Sequence, residues 1–313
     1  MSLQVVVGFG PAGAATARTL VGQGHEVRVV TRSTHPAEDG IEFVAVDAAA
    51  GDRLAEVAAG ASVIYHCAAP PYTRWPQELP ALTAGVTAAA EASGAVLVLL
   101  NNLYGYGPVD GPLTEDLPLA ATGRKGRVRA QISQDVLALH RQGRIRAVEA
   151  RASDYFGPGV TAGGHLADRV VPAVLRGRTV RVLGDPAMPH SWTYVPDVAS
   201  ALIRLGTTES AWGRPWHVPT VPPETIQAMV TKLCEAAGTA PVGVRRVPPA
   251  LVRVLGVVSP FIRELDEVRY QFDRPFVVDS TACAEHLGLA PTPLSEQMRS
   301  TVQWWRGASP QAG

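Results

Sequence analysis

The residues Leu3-Gln4-Val5-Val6-Val7-Gly8-Phe9-Gly10-Pro11-Ala12-Gly13 stand at the start of the chain and decide its fold. A short valine run ends in the pattern G-x-G-x-x-G, and an alanine-rich segment over residues 14–20 and a second valine-rich run over residues 27–30 follow. A strand, a helix and a strand in this order form the opening βαβ unit of a dinucleotide-binding domain. The sequence therefore predicts such a domain here.

The glycines of this loop have separate predicted roles. Gly8 permits the tight turn, Gly10 lets the backbone approach a pyrophosphate, and Gly13 lets the helix pack closely on the strand. The free N–H groups at the start of the helix would bind the anion. We therefore expect the cofactor to contact the whole loop: Gly8, Phe9, Gly10, Pro11, Ala12 and Gly13. A glycine turn that holds no ligand is the alternative.

The end of the second strand bears on the choice of cofactor. NAD-binding domains usually carry an Asp or Glu there, which accepts hydrogen bonds from the ribose hydroxyls. This chain has Thr31, Arg32 and Ser33 instead. A guanidinium pairs with a 2′-phosphate, whereas a carboxylate repels it, so the sequence favours NADP(H) over NAD(H). The alternative is that Arg32 points into water, as most surface arginines do.

Charge and cysteine content limit the class of function. The chain has 313 residues with 28 basic and 28 acidic side chains, so its formal net charge is zero. We expect a small-molecule substrate, and neither nucleic acid nor a membrane surface as a partner. Cys67, Cys234 and Cys283 are widely spaced, which suits reduced thiols in the cytoplasm, and no residues have the spacing of a metal site. The first strand begins next to Met1, so we expect no signal peptide.

Strands and helices alternate through the first half of the chain. Predicted strands cover residues 41–46, 62–66, 95–100 and 146–150, and predicted helices cover 52–59, 81–93 and 131–140. This alternation indicates an α/β fold with a doubly wound parallel sheet. We place this domain at residues 1–156.

The second half is richer in proline and glycine and is interpreted as a smaller C-terminal lobe. We assign residues 157–313 mostly to this lobe, with about 179–205 returning to the sheet. Helices are predicted from Asp197, as a capping residue, to Leu205, and over 225–237 and 294–305. A lobe over the carboxyl ends of the strands would complete a ligand site there.

Several segments in a fixed order identify a family resemblance. They are the glycine loop, Asp47, His66-Cys67-Ala68-Ala69, Tyr104-Gly105 or Tyr106-Gly107, Leu113 to Pro118, Arg151 to Pro158, Ser191 to Ala199, Phe276 to Asp279, Leu287-Gly288-Leu289 and Trp304-Trp305. Together they resemble an extended short-chain dehydrogenase/reductase of the NAD-dependent epimerase/dehydratase kind, over nearly the whole chain. The resemblance implies a Rossmann domain, a possible homodimer, and further cofactor contacts at Asp47, Cys67, Ala68, Arg129, Ser153 and Tyr155.

The resemblance fails at the catalytic residues. The family uses Ser/Thr with a Tyr and a Lys four residues apart on one helical face. The matching segment, Thr122 to Ala130, has no tyrosine: Lys125 falls at the Tyr position and Arg129 at the Lys position. The Ser position falls on Asn102, or on Leu100 if Tyr104 rather than Tyr106 sets the register. The chain is therefore an atypical member by resemblance.

Other residues are candidates for the missing chemistry. Lys125, Tyr104 and Asn102 are the candidate catalytic residues: an ammonium beside Arg124, Arg127 and Arg129 would have a lowered pKa, a phenol can supply a proton, and an amide can bind a substrate oxygen. The alternative, which we favour slightly, is that residues 124–129 form an exposed basic loop and helix start. Candidate substrate contacts are Trp75, Tyr106, His190 and Trp192, with Arg74 and Tyr155 as further cleft residues.

Three functions remain open from the sequence. We favour an NADP(H)-dependent oxidoreductase that transfers hydride to a carbonyl, imine or activated alkene of a small metabolite. The first alternative is an isomerase, epimerase or cyclase without net redox change on the same scaffold. The second is a binding protein that senses NADP(H) and has no catalytic activity.

Overall fold

The computed structural model describes residues 1–161 and 163–308 of the chain. Its strands are β1 Leu3–Val7, β2 Glu26–Thr31, β3 Ile41–Ala45, β4 Ala61–His66, β5 Val96–Asn102, β6 Arg146–Ala152, β7 Asp154–Phe156, β8 Val180–Val182, β9 Pro189–His190, β10 Trp192–Tyr194, β11 Pro215–His217, β12 Glu224–Thr225 and β13 Val244–Arg246.

The helices alternate with these strands in the first half and dominate the second. They are α1 Pro11–Gly22, α2 Gly51–Val57, α3 Trp75–Ser93, α4 Arg124–Arg141, α5 Val171–Leu175, α6 Val195–Thr207, α7 Ile226–Ala237, α8 Pro249–Val258, α9 Pro260–Leu265, α10 Tyr270–Asp273, α11 Thr281–Leu287 and α12 Leu294–Ala308. Short 3-10 turns cover Tyr72–Arg74, Tyr104–Tyr106 and Asp266–Val268. No helix among the described residues is long and apolar enough to cross a membrane.

Seven strands form one parallel sheet in the order β11-β6-β5-β4-β1-β2-β3. The order reverses at β1, because β2 lies on one side of it and β4 on the other. In open α/β sheets such a reversal leaves a crevice outside the carboxyl ends of the strands, where ligands bind. The predicted doubly wound α/β fold is confirmed.

Helices cover both faces of the sheet because its side chains alternate between them. Val6, Val29 and Val98 pack towards one face, together with α1 and α6. Val5, Val7 and Leu97 pack towards the opposite face, with α2, α3 and α4. The valine-rich runs of the sequence are thus buried on both sides, as central parallel strands require.

A second apolar core lies in the C-terminal half. Its buried residues come from α5, α7, α12, β8 and β10. Three small two-stranded sheets, β10-β7, β12-β9 and β13-β8, connect this core to the loops at the carboxyl ends of the main strands. Within segment 179–205, α6 contacts the main sheet whereas β8 pairs with β13, and β11 adds the seventh strand after the segment. Residues 309–313 lie outside the described residues.

Two helices begin earlier than predicted, and one predicted cap is wrong. Helix α3 begins at Trp75 rather than at residue 81, with Pro80 inside it, and α4 begins at Arg124 rather than at residue 131. Asp197 lies in the first turn of α6 but does not cap it, since Tyr194 holds the N-cap position. The Asp197 carboxylate instead accepts hydrogen bonds from Thr292 N at 3.0 Å and Thr292 Oγ1 at 2.6 Å. It therefore joins α6 to the loop before α12.

Candidate active site

A cavity of about 1020 Å³ opens between the carboxyl ends of the main strands and the C-terminal lobe. It lies where the order of the strands reverses, which is the expected position of a ligand site. Of the residues predicted from the sequence, those that line it are Gly10, Pro11, Ala12, Cys67, Ala68, Trp75, Asn102, Tyr104, Arg129, Ser153 and Tyr155. The fold thus brings candidate cofactor contacts and candidate catalytic residues together in one space.

The glycine loop has the geometry of a nucleotide cradle. Gly8 has a φ of +96°, and a Cβ there would lie 2.6 Å from Ala68 Cα. A Cβ on Gly13 would lie 2.1 Å from the carbonyl oxygen of Gly8, whereas a Cβ on Gly10 would meet nothing within 4 Å. Gly8 and Gly13 are therefore required by close packing, and Gly10 leaves open space for a ligand. Proline is tolerated at position 11 because Pro11 is the first residue of α1, where the backbone N–H has no hydrogen-bond partner within the helix.

Two buried polar atoms of the cavity wall have no partner. Arg129 Nε and Ser153 Oγ are buried and form no hydrogen bond with any described residue. Buried polar groups are normally paired, so each marks a place where a ligand atom fits. Together with the open space at Gly10, these atoms show that the residues present fit a phosphorylated, hydroxyl-rich cofactor.

The predicted residues at the ends of β2 and β3 lie outside the cavity lining. The Thr31 hydroxyl donates to the carbonyl of Ser33 at 2.6 Å, and Asp47 accepts from Ala49 N at 3.1 Å. The Arg32 side chain is 62% exposed, and its Nη1 lies 3.8 Å from Glu78 Oε2. Phe9 packs edge-on against His35 and Phe43 with centroid distances of 5.3 and 4.9 Å. Arg32 thus extends mostly into solvent, with Glu78 as a distant carboxylate partner.

Lys125 is not part of an exposed basic loop, contrary to the interpretation favoured from the sequence. Its side chain is 2% exposed, and Nζ lies 2.5 Å from Glu264 and 4.0 Å from Glu267. The ammonium also lies over the Tyr72 ring, 4.4 Å from its centroid. Lys125 does not line the cavity. Its carboxylate partners come from a distant segment of the chain, so it holds α4 against α9.

Arg129 is the second buried cation of the same helix and does line the cavity. Its guanidinium lies 4.1 Å from the centroid of the Trp75 ring. Burial lowers the pKa of Arg129 to about 10, so it remains protonated at neutral pH. Arg124 and Arg127 on the same helix are exposed, as expected of a basic run. Helix α4 therefore buries Lys125 and Arg129 on its inner side and leaves Arg124 and Arg127 exposed on its outer side.

Tyr104 belongs to an aromatic group on the cavity wall. Its ring lies 5.9 Å from Trp75, and Trp75 lies 5.0 Å from Tyr72. Burial raises the pKa of Tyr104 well above its usual value, and the charges of Tyr72 and Asp154 raise it further. The phenol is therefore a proton donor at neutral pH. The Asn102 side-chain oxygen accepts from Tyr104 N at 3.2 Å and fixes this turn.

Three predicted substrate contacts do not line the cavity, because their polar atoms are used inside the protein. The Tyr106 hydroxyl accepts from Arg151 at 2.6 Å and lies 2.7 Å from His217 Nε2. Trp192 Nε1 donates to the carbonyl of Glu224 at 2.8 Å. His190 is 4% exposed and lies behind Asp154. Arg74, a further predicted cleft residue, pairs with Glu78 at 2.9 Å and does not line the cavity either.

The sequence did not point to several residues of the cavity wall. Asp154 and His165 line it, and so do five arginines: Arg169, Arg181, Arg246, Arg263 and Arg269. The arginines are scattered over more than a hundred residues, so only the fold brings them together. Arg246 and Arg269 pair with Asp273, whereas the other three have no ion pair among those formed by the described residues.

The Cys67 thiol on the cavity wall is not activated. Burial raises the pKa of Cys67 to about 12, so its thiol stays protonated and is a poor nucleophile. Within residues 1–161 and 163–308, no three His, Cys, Asp or Glu side chains are grouped as a metal site would require.

Comparisons with known proteins agree with the fold. Residues 5–218 match the model of the NAD dependent epimerase/dehydratase family. No curated protein matches the sequence. Among solved structures, a UDP-N-acetylglucosamine 4-epimerase from Methanobrevibacter ruminantium M1, in complex with UDP-N-acetylmuramic acid, superposes with a TM-score of 0.81 at 16% identity, over 98% of this chain and 99% of that chain.

Two further solved structures have the same fold. A dTDP-glucose 4,6-dehydratase from Streptomyces venezuelae, a double mutant with NAD and a second ligand bound, has a TM-score of 0.80 at 20% identity, over 98% of each chain. A UDP-N-acetylglucosamine 4-epimerase from Bacillus cereus has a TM-score of 0.80 at 14% identity, over 99% of this chain and 98% of that chain. At these identities the likeness concerns the fold alone.

Proposed function

The chain belongs to the NAD dependent epimerase/dehydratase family, and from this premise we propose that it is an NADP(H)-dependent oxidoreductase. Its reaction is hydride transfer to a carbonyl, imine or activated alkene of a small metabolite. One observation carries the proposal: the glycine loop and the polar groups of Tyr104, Arg129 and Ser153 face the same cavity. A cofactor on that loop and a substrate beside Tyr104 would share one enclosed space.

The cofactor would be held by the backbone of the loop and by cavity side chains. The unpaired N–H groups at the start of α1 suit the pyrophosphate, and the unpartnered Arg129 Nε and Ser153 Oγ suit ribose hydroxyls or phosphate oxygens. When bound, the nicotinamide supplies or accepts the hydride. The protein contributes binding, orientation and exclusion of water.

The preference for NADP(H) over NAD(H) rests on the end of β2. Thr31, Arg32 and Ser33 bring no carboxylate to this position, and Arg32 is mostly exposed with only a distant partner. An available guanidinium favours a 2′-phosphate. The solved relative from Streptomyces venezuelae has NAD bound, so this preference is a departure that we propose for this chain.

Tyr104 is the proposed proton donor. The Lys125 ammonium is held in an ion pair with Glu264 outside the cavity lining, whereas Tyr104, a candidate catalytic residue from the sequence, lies on the cavity wall with Asn102. Because the pKa of Tyr104 is raised, the protonated form dominates at neutral pH. A protonated phenol supports reduction, since it can donate to the oxygen or nitrogen that gains negative charge.

The arginines of the cavity lining favour an anionic substrate. Six arginines line the cavity against three aspartates, and the exposed Arg169, Arg181 and Arg263 form no ion pair among the described residues. Guanidinium groups bind phosphate and carboxylate oxygens in pairs. We therefore propose a phosphorylated or carboxylated metabolite. The relative from Methanobrevibacter ruminantium binds UDP-N-acetylmuramic acid, which is such a compound.

The test is oxidation of NADPH, followed by absorbance, with a panel of phosphorylated and carboxylated aldehydes, ketones and imines. We expect turnover with at least one member. With that substrate, Tyr104→Phe should lower kcat about 100-fold or more, as loss of a general acid does, while KM changes little. A control is Tyr106→Phe, which removes a phenol outside the cavity and should leave kcat within a few-fold. No oxidation with any member would contradict the proposal, and full activity in Tyr104→Phe would exclude this proton donor.

A second candidate function is isomerisation or epimerisation in which the cofactor returns to its starting state. Family membership and the names of the solved relatives favour it. The two functions differ in one measurable respect: a product that forms without net change in NADPH absorbance indicates the second. Incubation with catalytic amounts of NADP+ and analysis of products by NMR distinguishes them.

A further inference from the structure

Asp154 and His190 form a fixed pair at the edge of the cavity. Asp154 lines the cavity with a side chain that is 19% exposed, and His190 lies behind it with 4% exposed. His190 Nε2 is 2.9 Å from Asp154 Oδ2, and His190 Nδ1 is 3.1 Å from the carbonyl oxygen of Gln271. Trp192, Phe272 and Phe276 stack around the imidazole at 4.3 to 5.3 Å and prevent it from turning.

The partners of the ring decide the charge of the pair. A carbonyl oxygen can only accept, so Nδ1 must carry a proton. If His190 were neutral, Nε2 would then present a lone pair to Asp154, and two acceptors would face each other at 2.9 Å. A proton must therefore lie between Nε2 and Oδ2. Burial alone would raise the pKa of Asp154, but the hydrogen bond and charge of His190 lower it more. The carboxylate is thus ionised, and the pair turns its negative end to the cavity.

This negative end faces the same cavity as Gly10, Pro11 and Ala12 of the glycine loop. The segment that begins with Asp154 passes over the start of α1, since a Cβ on Gly159 would lie 3.9 Å from Pro11 Cα. Asp154 sits between Ser153 and Tyr155, which line the same wall. The other titratable groups that its charge reaches are the phenols Tyr72, Tyr104, Tyr155 and Tyr270 and the imidazole of His165. At neutral pH all five groups are uncharged, because the pKa values of the phenols are raised and the pKa of His165 is lowered.

We propose that the Asp154–His190 pair makes this protein bind the oxidised nicotinamide dinucleotide in preference to the reduced one. The inference rests on the proposed function, because it requires the cofactor to lie in this cavity. The nicotinamide ring carries a positive charge only in its oxidised form. A fixed negative end on the cavity wall therefore stabilises the oxidised form relative to the reduced form. The same charge would favour release of a hydride from the reduced cofactor, because positive charge develops on the ring.

The expected effect is moderate, because the proton shared with His190 lies directly behind the carboxylate and offsets part of its charge. A dipole, rather than an isolated charge, acts on the ring. At an effective dielectric constant of about 20, such a dipole changes a neighbouring cation's binding roughly fivefold at distances of 6–10 Å. By the conversion for a two-electron couple, fivefold corresponds to about 20 mV in the potential of the bound cofactor.

The experiment compares the two cofactor forms on the full-length chain. Dissociation constants for NADP+ and NADPH are measured by titration calorimetry at pH 7.5 for the wild type and for Asp154→Asn, which keeps shape and removes charge. We expect the ratio Kd(NADPH)/Kd(NADP+) to fall about fivefold in Asp154→Asn. The readout needs no substrate and no turnover.

Two controls separate this effect from damage to the fold. Asp168→Asn removes an exposed carboxylate from the same cavity lining and should leave the ratio unchanged, since solvent screens its charge. The 2′-phosphate of ADP-ribose, which lacks the nicotinamide, should bind equally to the wild type and Asp154→Asn. Unequal binding of this fragment would mean that the variant has lost the site itself, and Asp154→Glu, which restores the charge and should restore the ratio, then decides the question.

The outcomes are distinct. If the ratio is the same in Asp154→Asn as in the wild type while the fragment binds normally, the inference is wrong and the proposed function is unaffected. A ratio that Asp154→Glu fails to restore also overturns it. If neither nucleotide binds the wild type, the proposed function itself fails.

Discussion

At the scale of single residues, Lys125 is expected at a catalytic position but has the contacts of a structural residue. The family resemblance places it at the position of the catalytic tyrosine, yet its ammonium is bound by Glu264 and covered by Tyr72. An ammonium between a carboxylate and an aromatic face is held in place by both contacts. The residue therefore stabilises the contact between α4 and α9, and the chemistry lies with its neighbours.

Replacement of Lys125 tests this structural role. In Lys125→Met, Glu264 and Glu267 lose their buried cation and should destabilise the fold by about 2–3 kcal/mol, measured by urea unfolding. Binding of NADP+ should change less than twofold. Arg127→Met removes an exposed cation from the same basic run and should cost less than about 0.5 kcal/mol. Loss of hydride transfer in Lys125→Met with unchanged stability would instead assign the residue a catalytic role.

His66 makes a second prediction at this scale, on the pH dependence of stability. The side chain is 2% exposed, and burial lowers its pKa to about 3, with a smaller contribution from Arg129. Below about pH 6.5 the unfolded chain takes up a proton at this site and the folded chain does not, so stability falls as pH falls. Between about pH 3 and pH 6.5, the free energy of unfolding falls by about 1.4 kcal/mol for each unit by which the pH falls.

The measurement is urea unfolding between pH 4.5 and 7 for the wild type and two variants. His66→Gln, which can keep the contact with Thr83, should show a shallower loss of stability by about 1 kcal/mol per pH unit. His286→Gln, at an exposed ring, should follow the wild type. Parallel curves for the wild type and His66→Gln would show that His66 is protonated in the folded state.

At the scale of elements, the packing of α1 on β1 depends on Gly13. A Cβ at this position would overlap the carbonyl oxygen of Gly8, which is backbone and cannot move aside. Gly13→Ala should therefore destabilise the protein by about 3 kcal/mol and weaken nucleotide binding, measured by urea unfolding and calorimetry. Gly22→Ala, at the other end of the helix with nothing within 4 Å, should be neutral or stabilising by up to about 1 kcal/mol. Equal stability of the two variants would contradict the close packing.

The elements also show what the sequence could predict. Strands β1 and β2 and the start of α1 follow from valine runs and a glycine pattern, which are local signals. The starts of α3 and α4 were placed too late, because Pro76 and Pro80 resemble helix breakers and residues 124–129 resemble an exposed charge run. Pro76 is tolerated in the first turn, where its N–H is not needed, and α3 continues past Pro80.

The candidate site was predictable only in part, for a similar reason. Residues 10–12 of the glycine loop, Tyr104, Asn102 and Arg129 follow from position along the sheet and line the cavity, whereas Gly8, Phe9 and Gly13 of the predicted loop do not. Asp154 carried no signal, since its partner His190 is distant in sequence and the pairing exists only after β7 and β9 meet the lobe. The partners of Lys125, Glu264 and Glu267, are equally remote. Contacts between charged residues far apart in the chain leave no local pattern in the sequence from which they could be predicted.

At the scale of the whole molecule, the two cores enclose the cavity between them. The sheet supplies the glycine loop and the candidate proton donor, and the C-terminal lobe supplies the arginines. A homodimer, expected from the family resemblance, stays a prediction, and a groove between α3 and α4 is the surface on which to look for it. These proposed roles, cofactor binding by the sheet and substrate binding by the lobe, require that a nicotinamide dinucleotide binds at the glycine loop.

Titration calorimetry with NADP+ and NAD+ on the wild type and Arg32→Ala tests this claim most directly. We expect both nucleotides to bind the wild type, NADP+ about tenfold more tightly, which corresponds to about 1.4 kcal/mol for one guanidinium–phosphate contact. Arg32→Ala should lose this preference, whereas Arg74→Ala, which shares the partner Glu78, should keep it. An absence of binding heat with either nucleotide, confirmed by an unchanged melting temperature in their presence, would contradict the account.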